Sequence, residues 1–175
     1  MPRAPQSDPN ADALHFVTLC CHSRNQFLIA HAARDNFQRA IEKIRRWYGI
    51  RVYGYVVMPE HVHLLVSEPK RFNLDAAIQS LKRTVSRGSS LDPFWTARHS
   101  DVPISSGEER IEKIRSMHHN PVARGIVRSQ QEWAWSSFRH YLTGEESPVK
   151  IESAWSKGGR QGLLVVVAEG GPIVA

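Results

Sequence analysis

Apolar residues cluster along residues 14–121 in runs that predict three strands. Residues 14–21 (LHFVTLCC) are dominated by aromatic, aliphatic and β-branched residues, which predicts a first and largely buried strand. Residues 50–58 and 61–67 predict two more strands, joined at Pro59-Glu60. Because so short a connection cannot cross over a sheet, these two strands should form an antiparallel hairpin.

Two segments repeat their apolar residues at helical spacing. The first predicted helix spans about residues 33–48, ends at Gly49, and has as its apolar stripe Phe37, Ala40, Ile41, Ile44 and Trp47. Its opposite face carries Arg39, Lys43, Arg45 and Arg46. The second starts after the N-cap Asn73, and its stripe is Leu74, Ala77, Ile78, Leu81 and Val85. Three cations are expected to point away from that stripe: Lys82, Arg83 and Arg87.

A third helix is predicted to start after Ser105 or Ser106. Acidic residues in its first turn suit the positive end of a helix dipole, and Pro121 is expected to end it. Residues 87–93 between the second and third helices are expected to form a loop. The order of these elements along the chain is a strand, a helix, a hairpin and two further helices. This order predicts an α+β fold, with one antiparallel sheet packed against helices.

The limits of the domain follow from composition. Residues 1–12 are rich in Pro, Asp, Asn and Ala, which suggests a flexible lead-in. The folded domain is expected to span residues 13–155, and residues 156–175 form an atypical Gly-rich tail. Of 175 residues, 41% are hydrophobic and 23% charged, as in a globular protein rather than a disordered one.

Location and partner class follow from charge and from what the sequence lacks. The longest apolar run has six residues (163–168), too short to span a membrane, and no secretory signal is recognisable at the N-terminus. The only cysteines are the adjacent Cys20 and Cys21, which do not predict a disulfide framework. A cytoplasmic location is therefore expected. A net charge of +6 favours a polyanionic partner, with nucleic acid first.

The most specific chemistry on the hairpin is a pair of histidines. Side chains two apart on a strand point to the same side, so His61 and His63 should lie next to each other. They could bind a metal ion, or they could be half-buried residues that form ordinary hydrogen bonds. A metal site would need a third ligand.

The third helix offers candidates for that ligand. His118 shares the apolar stripe with Ile111 and Ile114, which favours a structural role. Ser116 and Asn120 share another face, one turn apart. The Asn120 amide oxygen would suit Mg²⁺ or Mn²⁺, but the same residue could instead cap the helix before Pro121.

Further along the chain, arginines are interleaved with aromatic residues. Arg124, Arg128 and Arg139 alternate with the rings of Trp133, Trp135, Phe138 and Tyr141, and His140 lies among them. Such a mixture suits single-stranded DNA, because bases stack on rings and guanidinium groups hold phosphates. Alternatively, the rings form a C-terminal core with the arginines solvated around it.

Four motifs carry a resemblance to a known family: GYVVMPEHVHLLVSEP, FWTAR, MHHNPVARGIV and EWAWSSFRHYLTGEE. In this order they resemble the REP-associated tyrosine transposases, relatives of the IS200-like transposases within the HUH endonucleases, over about residues 14–155. The resemblance implies a ferredoxin-like β-α-β-β-α core, and a divalent metal ion (Mg²⁺ or Mn²⁺) bound by His61, His63 and Asn120.

The resemblance also implies substrate and reaction. Family members bind single-stranded REP hairpins, and a helix tyrosine attacks the scissile phosphate to leave a 5′-phosphotyrosine and a free 3′-OH. That tyrosine precedes the asparagine by four residues, and here the position holds Ser116. Cleavage should therefore be weak or absent. An inactive DNA-binding module and a hydrolase that activates water are the alternatives.

Further residues are expected to support the histidines or to contact DNA. Glu60 either orients the histidines or only caps the turn. The arginines expected to contact DNA are Arg83, Arg87, Arg115, Arg124, Arg128 and Arg139. Residues 99–106 (HSDVPISS) lack the aromatic-rich strand that the family usually has there, and the tail beyond Ser156 matches nothing in the family.

Overall fold

A single four-stranded antiparallel sheet organises the protein. A computed structural model describes residues 13–153, so the predicted lead-in and tail lie outside the described residues. The strands are β1 (Leu14–Cys20), β2 (Val52–Val57), β3 (His61–Ser67) and β4 (Ser100–Ile104), in the order β2-β3-β1-β4. The predicted α+β class with one antiparallel sheet is confirmed, and β3 lies in the interior of the sheet.

Helices cover both faces of the sheet. They are α1 (His31–Tyr48), α2 (Leu74–Ser86), α3 (Gly107–Ala123) and the short α4 (Phe138–Thr143), with 3-10 turns at His22–Arg24 and Gln130–Glu132. Helix α1 packs beside α2, and Gln38 of α1 donates to the hydroxyl of Tyr55 on β2 (2.9 Å). Tyr55 pairs with Leu64, whereas its neighbour Val56 pairs with His63. Since successive strand residues face opposite sides, α1 lies on the face away from His63.

Helix α1 is bounded as the sequence predicts, with one error in its stripe. Gly49 ends it in the left-handed conformation (φ +68°) and donates its N–H to the Arg45 carbonyl. Trp47 is 62% exposed, and Tyr48 is buried in its place. The prediction for Trp47 was wrong because Tyr48, four residues after Ile44, continues the buried face.

Helix α2 begins as predicted. The Asn73 side chain accepts the Ala76 N–H at 2.8 Å, and all five residues of the predicted stripe are buried. Lys82, which was expected to point away, is buried as well, and its Nζ donates to the Thr96 carbonyl at 2.9 Å. The error has a simple cause: a lysine stem can cover apolar surface while its ammonium reaches a polar partner.

Helix α3 starts as predicted but ends later. The Ser106 hydroxyl accepts the Glu109 N–H at 3.1 Å at the start of the helix. The helix runs through Pro121 to Ala123, so the prediction that Pro121 ends it was wrong. Pro121 lacks the N–H that would pair one turn back and its ring crowds that carbonyl, but its φ fits a helix, so a final turn still forms after it. The Arg124 N–H then donates to the Asn120 carbonyl at 3.0 Å.

Strand β4 was missed from the sequence. It pairs with β1 from Leu14–Ile104 to Thr18–Ser100, and most of its residues are exposed. An exposed edge strand carries no alternating apolar pattern, and the Asp and Pro within it are typical of protected edges. Backbone pairing, rather than side-chain burial, accounts for this strand.

The aromatic residues near the C-terminus belong to the core. Trp133, Phe138 and Tyr141 are buried, and the Trp133 indole donates to the Val57 carbonyl at 3.1 Å. Trp135, partly buried, donates to Asp35 at 2.8 Å. His140 is buried too, with Nε2 2.7 Å from Ser153 Oγ. The alternative that these residues form a C-terminal core is confirmed, and their rings are not free to stack on bases.

Glu42 ties α1 to the C-terminal segment and should make stability depend on acid pH. Burial alone would raise its pKa, but hydrogen bonds from Arg45, the Lys150 N–H and Arg46 outweigh it and lower the pKa to about 2. The unfolded chain therefore takes up the proton first as the pH falls below 4.5. We expect full stability above that pH and a loss between 4.5 and 2 of up to about 1.4 kcal/mol per pH unit.

Urea unfolding measured across this pH range tests the expectation. Glu42→Gln should lower stability at pH 7 and flatten the acid dependence, whereas Glu112→Gln on the exposed side of α3 should change neither. An equally steep acid dependence in Glu42→Gln would contradict the assignment.

Candidate metal centre and nucleic-acid site

The two histidines of β3 form the centre of the site. Both leave the same side of the strand, and His61 is buried while His63 is partly buried. Their Nε2 atoms approach to 3.1 Å, and the two ring planes cross at 70°. The prediction that the rings lie side by side is confirmed.

Both rings are held through their other nitrogen. His61 Nδ1 lies 3.0 Å from a carboxylate oxygen of the buried Glu60, and His63 Nδ1 lies 2.9 Å from the Thr18 hydroxyl on β1. Phe16 stacks on the His63 ring with centroids 5.1 Å apart. Because a carboxylate only accepts, His61 donates from Nδ1 and keeps a lone pair on Nε2.

Helix α3 brings Asn120 to the histidines. Its side-chain amide lies 3.3 Å from His61 Nε2. The oxygen and nitrogen of such an amide are assigned from hydrogen bonding, so either atom can face the rings. The alternative role of Asn120 as helix cap was wrong, since the cap residue is Arg124.

The histidines are neutral at ordinary pH. Burial, and then the charges of His61, Arg24 and Lys113, lower the pKa of His63 to about 3. Burial also lowers the pKa of His61, although Glu60 opposes the shift. Neutral imidazoles offer lone pairs, as metal ligands must. Within residues 13–153 no group of three or more His, Cys, Asp or Glu side chains is placed to hold a metal ion, and the side chain that joins the two histidines here is the Asn120 amide.

Ser116 lies on the surface beside this centre. It is exposed on α3, one turn before Asn120 and on the same side of the helix. The four tyrosines of the chain, Tyr48, Tyr53, Tyr55 and Tyr141, are all buried. Tyr141 donates to the Tyr53 carbonyl at 2.6 Å, and burial raises its pKa to about 12. No tyrosine hydroxyl is therefore exposed at the site.

The comparisons with known proteins agree with this geometry. A family model described as "Transposase IS200 like" matches residues 12–90, the segment from β1 to α2 that includes both histidines. A REP-associated tyrosine transposase of Escherichia coli (strain K12) is 24% identical over 124 residues, covering 70% of this chain and 74% of the relative. The chain is similar to the IS200-like transposases over these residues. The family match ends before α3, so Ser116 and Asn120 lie outside it.

The fold also resembles that of a solved structure. A structure described as a REP-associated tyrosine transposase bound to a REP hairpin superposes with a TM-score of 0.68 at 20% identity. The superposition covers 87% of this chain and 93% of the relative. Within residues 13–153 no helix is both long and apolar enough to cross a membrane.

Two cations beside the histidines were missed from the sequence. Arg24 and Lys113 both lower the pKa of His63 by their charge, and Lys113 Nζ lies 5.3 Å from the centre of the Phe16 ring that covers His63. Lys113 precedes Asn120 by two helical turns, so helical spacing could have placed it on this side. Arg24 carries no such signal, because a left-handed backbone (φ +59°) in an irregular turn positions it.

The six arginines expected to contact DNA do not form one surface. Arg83 and Arg87 are exposed on or just after α2, which packs beside α1 on the far side of the sheet. Arg115 is partly buried on α3, and Arg128 and Arg139 are exposed near the C-terminal core. Only Arg124 is tied to the histidine pair, through a 2.7 Å ion pair with Glu60.

His118 takes no part in this centre. It is 2% exposed, and its Nε2 lies 2.7 Å from the Ser137 hydroxyl. Burial lowers its pKa to about 3, so it stays neutral in the core. The structural role that its spacing predicts is confirmed.

Proposed function

We propose that this protein binds single-stranded DNA that folds into REP-type hairpins, and that it has largely lost the ability to cleave it. The observation that carries the proposal is the convergence of His61, His63 and Asn120 next to an exposed serine, within an IS200-like fold.

DNA as ligand is supported by the charge around the histidines. Arg24, Lys113 and Arg124 approach the centre from the turn after β1 and from α3. Three cations around neutral imidazoles suit a phosphodiester, which carries one negative charge per nucleotide. The solved relative is described as bound to a REP hairpin, which makes that DNA the first substrate to test.

A divalent cation, Mg²⁺ or Mn²⁺, fits the donor set. Two nitrogen ligands of one ion, each at about 2.0–2.1 Å, would lie about 3 Å apart, close to the observed 3.1 Å. His61, His63 and the Asn120 amide oxygen would hold the ion, with Glu60 and Thr18 fixing the rings. When bound, such an ion polarises a phosphate oxygen.

Loss of cleavage follows from the length of the Ser116 side chain. The family reaction needs a tyrosine oxygen that attacks phosphorus while the bond to the 3′ oxygen breaks and that oxygen takes a proton. A serine oxygen sits one bond from Cβ, on the near side of the space that a tyrosine ring would span. Since reaction rates fall steeply when the attacking atom is misplaced, Ser116 should attack poorly. The two alternatives, a metal-free binding module and a water-activating hydrolase, share the DNA-binding half.

Fluorescence anisotropy with labelled hairpin DNA tests the DNA-binding half. We expect tighter binding to a REP-type hairpin than to a scrambled strand of equal length, and a steep loss of affinity with salt. Binding that survives EDTA would favour the metal-free module, and repeated cleavage without a covalent intermediate would favour the hydrolase. Equal, weak binding to all strands would contradict the proposal.

A further inference from the structure

A second cationic surface lies on α1, away from the histidine pair. It forms a shallow cleft of about 520 Å³, lined by Arg39, Glu42, Lys43, Arg46, Trp47 and Arg71. We call it the α1 cleft. Because α1 and α3 lie on opposite faces of the sheet, helix and sheet dimensions place the cleft about 20 Å from the histidines.

The charge of the cleft is almost entirely positive. Four cations face one carboxylate, Glu42, which already accepts hydrogen bonds from Arg45 and Arg46. Arg39 and Lys43 are exposed and have no hydrogen-bond or ion-pair partner within residues 13–153. They stand one helical turn apart, about 6 Å along the axis, so successive groups of a polyanion can each meet a cation.

Two exposed rings flank these cations. Trp47 is 62% and Phe72 is 76% exposed, whereas most aromatic residues of the described chain are buried. Phe72 adopts a left-handed backbone (φ +61°), which bulky residues rarely do, and its ring stands edge-on to Tyr48. Exposed rings beside unpaired cations are the arrangement that holds unpaired bases by stacking.

The loop after β3 supplies Arg71 to the cleft, and Phe72 is the next residue along the chain. The N–H groups of Lys70 and Arg71 donate to the Tyr48 carbonyl at 2.9 and 3.1 Å, at the open end of α1. The Arg71 guanidinium donates to the Trp47 carbonyl at 3.2 Å. These bonds fix the loop against the helix, so the Arg71 side chain is held in place before a ligand arrives.

We propose that the α1 cleft binds single-stranded DNA, with phosphates on Arg39 and Lys43 and a base on Trp47. The choice of single strand over duplex comes from the rings, because paired bases do not offer their faces. The inference rests on the proposed function: it assigns the unpaired flank of the same DNA to a surface remote from the histidines. The flank would add affinity without entering the chemistry.

The test compares a bare hairpin with the same hairpin carrying a single-stranded flank of about 12 nucleotides, long enough to cross about 20 Å at 3.4 Å or more per nucleotide. The flank should tighten binding by the unmodified protein.

Trp47→Ala should weaken binding of the flanked DNA about tenfold and leave binding of the bare hairpin unchanged. Trp47→Phe should restore the affinity for flanked DNA. Arg39→Ala with Lys43→Ala should lower the salt-dependence slope for flanked DNA by about 1.4.

Arg98→Ala, an exposed cation outside the cleft, is the charge control, and thermal unfolding confirms that each variant is folded. If the protein binds the bare hairpin but Trp47→Ala leaves flanked DNA unaffected, the α1 cleft assignment is wrong and the proposed function stands. If no DNA binds at all, both fail. If Trp47→Ala abolishes binding to anionic vesicles while DNA binding is unchanged, the surface recognises a membrane and the proposal is overturned.

Discussion

Ser116→Tyr should convert the protein into one that forms a covalent adduct with hairpin DNA in Mn²⁺. Ser116 is exposed and lies one turn from Asn120, so a tyrosine there can extend towards the histidine pair without entering the core. Its oxygen would bond to phosphorus, and the 3′ oxygen would leave with a proton. Because misplacement by about 1 Å can cost a hundredfold in rate, we expect the adduct to increase at least a hundredfold over the unmodified protein.

Denaturing electrophoresis of protein with end-labelled DNA measures the adduct directly. Ser116→Phe is the matched control, since it supplies the ring without the hydroxyl and should form none. Adduct formed by the unmodified protein would show that Ser116 attacks after all. If Ser116→Tyr binds hairpin DNA normally but yields no adduct, the proposal that Ser116 stands in place of the nucleophile is wrong.

His63→Ala should remove Mn²⁺ binding while leaving the fold intact. The variant would lose one of three metal donors. Removing a group that only orients a metal ligand lowers metal affinity roughly 10–100-fold, so the loss of Mn²⁺ affinity in His63→Ala should be larger. Glu60→Gln should show that smaller effect, because the carboxylate contacts His61 Nδ1 and not the ion. Isothermal titration with MnCl₂ measures both.

His119→Ala is the matched control for His63→Ala, because it removes an exposed imidazole that lies about 100° around the helix from Asn120. Asn120→Asp should retain Mn²⁺ binding, since a carboxylate oxygen is also a hard ligand. Unchanged Mn²⁺ affinity in His63→Ala would rule out the histidine pair as the metal centre and leave it as a structural pair.

Local patterns in the sequence predicted the parts of the fold that depend on neighbours in the chain. The Asn73 cap, the Gly49 terminus and the alternation that places His61 beside His63 each follow from a few adjacent residues. Errors arose where tertiary contacts decide. Lys82 is buried because the Thr96 carbonyl lies within reach, and β4 exists because β1 offers a free edge.

The candidate site was predictable in part for the same reason. Spacing placed Ser116 with Asn120, but only the resemblance to a family connected that helix to the hairpin. Arg24 could not be found, because its position depends on an irregular turn rather than on a repeating pattern. The Glu60–Arg124 ion pair joins residues 64 apart in sequence, so no local sequence pattern predicts it either.

The exposure of Ser116 bears on how such a protein evolves. Substitutions at exposed positions usually change the free energy of unfolding by less than about 0.5 kcal/mol, so exchanging tyrosine for serine here leaves the folded protein almost as stable. His61 and Glu60, by contrast, are buried and constrained by their neighbours. If position 116 is the place of a nucleophile, as we propose, selection for a stably folded chain preserves the residues around it without preserving the nucleophile itself. Catalysis could then be lost or regained by changes at one codon.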